Sequence, residues 1–238
     1  MNILALDTCF GACSVAVTGR DRGATHEFEL RQTGHAEALI PMVERVMTRA
    51  QLAFSDLERI AVTTGPGSFT GMRIGIAAAR ALSLATGAPV VGFSTLEVMA
   101  QTARSSYATS EAGSPLPAHI LVAVDARKDQ VYAQLFGGEH SDSSAQVLSP
   151  EEAAKLIPEG AVALVGTGAA LVAPHVEAHR SDVHMLYPDL QPAALCLVMM
   201  ASQAAASTVP FKSSEIRPLY LRPPDAKPQH GKSLPRLT

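Results

Sequence analysis

The chain is short of the features that assign a protein quickly. It has only three cysteines, Cys9, Cys13 and Cys196, an odd number with no metal-like cluster. A disulfide framework and a structural zinc site are therefore not expected, and a reduced, cytosolic setting fits. Cys9 and Cys13 stand four apart across what should be strand–turn–strand, and read as small buried residues. No apolar run is long enough to span a membrane. The first residues, Met1 to Asp7, lack the basic start of a secretory signal and read as a strand. Net charge is only −3, so no general nucleic-acid footprint is present. What is there is apolar: 47% of 238 residues against 17% charged, enough for a substantial core in one large domain or two small ones. The end of the chain differs. From residue 210 onward six basic residues face two acidic ones, a net +4, with recurring prolines. That composition reads as an extended, solvated tail, or as an arm touching RNA or a partner.

The most informative stretch is Thr63-Thr64-Gly65-Pro66-Gly67-Ser68-Phe69-Thr70-Gly71-Met72-Arg73-Ile74-Gly75. An apolar run, Ile60 to Val62, reads as a buried strand before it, and residues 74–86 read as a helix after it. Glycine permits positive φ and proline fixes φ, so the loop is a tight, preset turn. Ser68 or Thr70 can cap the helix. A helix start can hold an anion, which makes Gly65, Gly67 and Ser68 candidate anion-facing positions. The stretch is not a Walker loop, because no Gly-Lys-Ser/Thr follows. The helix behind it is apolar almost all round, with Arg73, Arg80 and Ser83 as a narrow polar stripe. Such a helix is buried on two sides: either in the core of one domain, or between its sheet and a partner's helix.

The chain is written twice. Residues 2–7, 13–18 and 24–30 read as strands, 35–51 as helix, 59–64 as strand, 70–86 as helix, 89–93 as strand and 95–106 as helix. A Ser/Gly/Pro-rich stretch, residues 109–117, breaks the pattern. Strands at 119–125, 130–136 and 145–148, a helix at 150–157, a strand at 161–166, a helix at 168–179, a strand at 183–187 and a helix at 192–206 repeat it. Both halves are βββαβαβα, an α/β pattern implying mainly parallel sheet with an antiparallel opening. The expected division is 1–107, a linker 108–118, 119–221 and a tail 222–238. Each half opens with an apolar strand ending in aspartate, Asp7 followed by Thr8, and Asp125. In the first helix Leu39, Val43, Val46 and Ala50 form one apolar stripe that Ile40, Met42 and Met47 widen. Pro41 inside it predicts a kink or a late helix start.

This duplicated order resembles the actin-like superfamily of Hsp70, hexokinase and acetate kinase (ASKHA), built on a duplicated ribonuclease-H-like domain. The resemblance implies that Asp7 and Asp125 face phosphates and metal, and that Gly166-Thr167-Gly168 is the adenosine-side turn. More specifically, the residues resemble the TsaB (YeaZ) family. The matching pieces are Ile3 to Thr8 with Ser14 to Val17, His35-Ala36-Glu37 with Leu39-Ile40-Pro41, the Gly65 to Gly75 hallmark, Gly92 to Leu96, Asp125-Ala126-Arg127 with Val131-Tyr132, and Pro218 to Arg222. The resemblance implies a non-catalytic subunit of the machinery that makes threonylcarbamoyladenosine at adenosine 37 of tRNAs reading codons that begin with A. It implies a heterodimer with the catalytic paralogue TsaD, an ATPase partner TsaE, a homodimer in isolation and tRNA contact through the complex. ATP and a metal belong to that complex, with no cofactor in the isolated chain. The contact surface implied is a bundle of the first two helices, carried by Leu39, Val43, Val46, Met47, Met72, Arg73, Ile76, Ala79, Arg80 and Ser83.

Two catalytic readings stand against this one. Asp7, Thr8, Asp125 and the turn from Gly166 to Gly168 suit an ATP-dependent phosphotransferase, but the halves are small for one and no further base stands out. His175 and His179 have the four-residue spacing of a metal pair on one helical face. The sequence between them is not His-Glu-x-x-His, which leaves a hydrolase without its general base. No nucleophile–base pair suggests a peptidase.

Overall fold

The computed structural model describes residues 1–19, 22–110, 115–138, 140–177, 179–204 and 215–222. Most of the expected basic tail therefore lies outside the described residues.

The first sheet is built from β1 (Ile3–Asp7), β2 (Ala12–Gly19), β3 (Arg22–Leu30), β4 (Arg59–Gly65) and β5 (Val90–Ser94), in the order β3-β2-β1-β4-β5. The β1–β2–β3 meander is antiparallel, and β4 and β5 join in parallel. The second sheet repeats the order. Its strands β6 (His119–Arg127), β7 (Gln130–Gly137), β8 (His140–Ser141), β9 (Gln146–Leu148), β10 (Val162–Val165) and β11 (Val183–Met185) run β11-β10-β6-β7-β8, with β9 also on β7. The chain thus has the duplicated α/β order that its sequence predicts. β1 and β6 are buried along their apolar residues on both faces, as central strands covered on both sides must be.

Helices supply the cover. On one face of the first sheet lie α1 (His35–Ala50) and α2 (Phe69–Thr86). α1 starts after Gly34 in the left-handed region and buries Leu39, Met42, Val43, Val46, Met47 and Ala50. It runs unbroken through Pro41, so the late start that proline suggested is not found. The other face is covered by α3 (Thr95–Ala108) and α6 (Ala194–Gln203). α3 serves both sheets: Val98 packs on the first, while Leu96, Met99, Ala100 and Ala103 pack on the second. α6 comes from the second half and packs on β1 and β2. α4 (Pro150–Ala154) and the single turn α5 (Ala169–Val172) cover the remaining face of the second sheet.

The second half departs from its expected pattern in an added two-residue β8, a shorter α4 and, most of all, the segment after β10. Instead of a helix over 168–179, α5 gives way to a 3-10 turn at Ala173–His175, and Val176 is in extended conformation. Pro174 has no N–H for a continuing α-helix. His175 and His179 therefore share no helical face. Exposed His179 instead lies 3.2 Å from exposed Glu177. Among the described residues no group of three or more His, Cys, Asp or Glu side chains is placed to hold a metal.

Candidate docking face and cleft

The glycine loop does its work by packing. A Cβ at Gly67 would lie 2.7 Å from the Cys9 carbonyl oxygen, one at Gly71 would overlap the Thr8 carbonyl, and one at Gly75 would lie 2.8 Å from Thr8 Oγ1. Absent side chains let the loop ride directly on Thr8 and Cys9. Two hydrogen bonds fasten it there: Ser68 N–H donates to the Cys9 carbonyl at 2.8 Å, and Thr8 Oγ1 donates to the Gly71 carbonyl at 2.7 Å. Ser68 is the cap of α2, accepting from Gly71 N–H at 3.0 Å, which leaves Thr70 outside that role. Such a cap contributes about 1 kcal/mol.

The loop seals the first hairpin. Asp7 is fully buried; its Oδ1 accepts from Thr63 Oγ1 at 2.5 Å and from Cys9 N–H at 3.4 Å, while Oδ2 has no partner. Burial pushes its pKa up to about 7 against the lowering pull of those two bonds. The Cys9 thiol is pushed up to about 12, by burial first and then by Asp7 beside it. Asp7 and Thr8 therefore do not face an open site, contrary to expectation. Gly65 and Gly166 are buried with positive φ, as turn glycines. The residues present do not fit a metal-bound nucleotide at Asp7: the carboxylate such a group would need is fully buried and bonded to Thr63 and Cys9.

Between the halves lies a cleft of about 880 Å³. Of the candidate anion-facing residues, Gly67, Ser68 and Asp125 line it, while Asp7, Thr8, Gly65, Gly166 and Gly168 do not. Asp125 is exposed; its Oδ1 accepts from Arg127 N–H at 2.7 Å and its own N–H donates to Thr167 Oγ1 at 3.2 Å. The start of α1 and the segment Leu219–Arg222 form other walls.

The candidate interface residues divide sharply. Leu39, Val43, Val46, Met47, Met72, Ile76 and Ala79 are all buried in the chain itself, at most 3% exposed. They pack within the chain itself. Arg73 is exposed, Arg80 and Ser83 half-buried. Arg80 donates to the Ile216 carbonyl and Arg73 Nε to the Tyr220 hydroxyl, so both are engaged within the chain. The outward face of α2 is instead Phe69, Arg73, Ala77, Ala81 and Ala85 at four-residue spacing, with Leu84 87% exposed beside them. Of these the sequence pointed to Arg73 alone. An all-apolar helix leaves the phase of its buried face unmarked, and only the sheet beneath decides it.

Comparison with known proteins settles the lineage. A family model described as TsaD, tRNA N6-adenosine threonylcarbamoyltransferase, matches residues 29–164, more than half of the chain. The chain is 30% identical over 234 residues to a Haemophilus influenzae protein named tRNA threonylcarbamoyladenosine biosynthesis protein TsaB, covering 93% of this chain and 94% of that one. It is 38% identical over 176 residues to the Escherichia coli protein of the same name, covering 71% and 72%. The chain belongs to the TsaB family. A solved structure described as YeaZ from Pseudomonas aeruginosa superposes with a TM-score of 0.80 at 30% identity, covering 92% of this chain and 99% of that one. Family membership and fold thus agree over nearly the whole length, the glycine loop included.

Proposed function

We propose that the chain is a non-catalytic subunit in the biosynthesis of threonylcarbamoyladenosine in tRNA, acting by docking rather than by chemistry of its own. The observation that carries the second half of this reading is the sealed first hairpin. An actin-like phosphotransferase needs its first carboxylate at the phosphates, and here that carboxylate is fully buried and does not line the cleft. The relatives' names support the process, and the match to the TsaD model supports a paralogue as the partner.

The docking face is the outward side of α2 with the adjoining exposed Ile40 and Pro41 of α1. Alanines at 77, 81 and 85 let a second helix approach closely, and Leu84 supplies an exposed apolar anchor. The partner is the TsaD paralogue, which transfers threonylcarbamoyl to N6 of adenosine 37 and holds the ATP and metal; TsaE joins the complex, tRNA contacts it as a whole, and two copies of this chain pair through the same face when alone. The setting is the cytoplasm; among the described residues no helix is long and apolar enough to cross a membrane.

Co-expression with the paralogue and size-exclusion chromatography test this. Wild type should co-elute, and Ala81→Glu should not, with its thermal unfolding unchanged. Robust ATP turnover by the isolated chain, lost on Asp7→Asn, would overturn the reading.

A further inference from the structure

Residues 215–222 return from the end of the chain and cross both halves. Ile216 is 3% exposed in the core under α1 and α2, and its Cδ1 lies 3.5 Å from where a Gly92 Cβ would stand on β5. Leu219 N–H donates to the Thr64 carbonyl at 2.7 Å, where β4 becomes the glycine loop. Tyr220 stacks on Phe69 with ring centroids 5.3 Å apart, and the Arg73 guanidinium lies 3.7 Å over the other ring of that pair. Two residues later Arg222 Nη1 donates to the Ala126 carbonyl at 2.7 Å, in the first hairpin of the second half.

Gly65 shows what this crossing demands of the loop. Its φ is +116, and a Cβ there would lie 2.5 Å from Met72 Sδ and 2.9 Å from the Leu219 carbonyl. The first glycine of the hallmark makes room for Met72 and for the returning segment.

The spacing of the fastenings has a mechanical consequence. From Tyr220 to Arg222 there are about 7 Å of extended chain at most. One end is held by a stack, a hydrogen bond and a buried isoleucine on the first half, the other by Arg222 on the second. Neither end can shift far without pulling the other, and the cleft lies between them.

We propose that residues 215–222 are a clasp that couples the glycine loop and the first turns of α2 to the 125–130 hairpin across the cleft. The clasp fixes the cleft width and the pose of the outward face of α2 together. It stands on these contacts alone, whether or not the chain works in tRNA modification.

Hydrogen–deuterium exchange on the full chain tests the coupling. Arg222→Ala removes the fastening on the second half. Several-fold faster exchange is expected at 125–130 and also at 69–75, on the far side of the cleft, with α3 and α6 unchanged. Tyr220→Ala should produce the mirror result, and Arg222→Lys, which keeps a donor, should restore part of the protection. Faster exchange confined to each variant's own end, no change at either, or a uniform rise over both sheets would overturn the clasp. Should Tyr220→Ala fail to fold, the cross-cleft effect of Arg222→Ala decides alone.

Discussion

The two halves share a strand order, yet their first aspartates end in opposite surroundings. Asp7 is fully buried with one oxygen unpartnered, and Asp125 stands exposed at the cleft. The strands are not the cause, since β1 and β6 are equivalent in place and similarly apolar. The difference lies in where the following glycine turn lands. In the second half Gly166 and Gly168 pack on Ala123 and Val124, just before Asp125. In the first, Gly67, Gly71 and Gly75 pack on Thr8 and Cys9, just beyond Asp7. The turn thus lands a few residues further along in the first half, where the carboxylate is buried, than in the second, where it is exposed. The glycine loop of the first half also launches α2, the helix proposed for docking.

The contrast can be broken most forcefully at the loop. Gly71→Val pushes a side chain into the Thr8 carbonyl and should cost on the order of 3 kcal/mol or more, if the protein folds at all. Thermal unfolding should report a fall of several degrees or failure to express. Next is the pH dependence of Asp7. Its folded pKa of about 7 lies above the ordinary 3.8. The folded state therefore keeps a proton that the unfolded chain releases, and this stabilisation, full below about 4, is lost as pH rises through 7. Asp7→Asn should gain on wild type between pH 5 and pH 8 in denaturant titrations, by a few kcal/mol at most. Ser68→Ala removes the helix cap and should cost about 1 kcal/mol by the same titration. Smallest is Ala81→Glu, on the outward face, expected to alter stability by under about 0.5 kcal/mol.

Much of this layout is legible in the sequence. Apolar strands, the two aspartates at strand ends and the repeated order place nearly every element of the first half within a residue or two. The second half reads less well, because Ala169 to His175 is apolar and helix-like while Pro174 ends any regular helix. The site is harder still. That Asp7 follows an apolar strand says nothing about its cover, which depends on contacts between Gly67 or Gly71 and residues some sixty positions earlier. On α2, Ile76 and Ala77 are adjacent and both apolar, yet one is 3% exposed core and the other faces outward. The role of Leu219 to Arg222 has no periodicity to announce it, since its anchors include a backbone carbonyl on β4 and another on β6.

The measurement closest to the central claim is reconstituted threonylcarbamoylation of tRNA with the TsaD paralogue and TsaE, supplied with variants of this chain. Asp7→Asn should support modification as wild type does, because the sealed carboxylate takes no part. Ala81→Glu should abolish that support while remaining folded. Loss of modification with Asp7→Asn, or full modification with Ala81→Glu, would contradict a subunit that works through its helix face rather than its first hairpin.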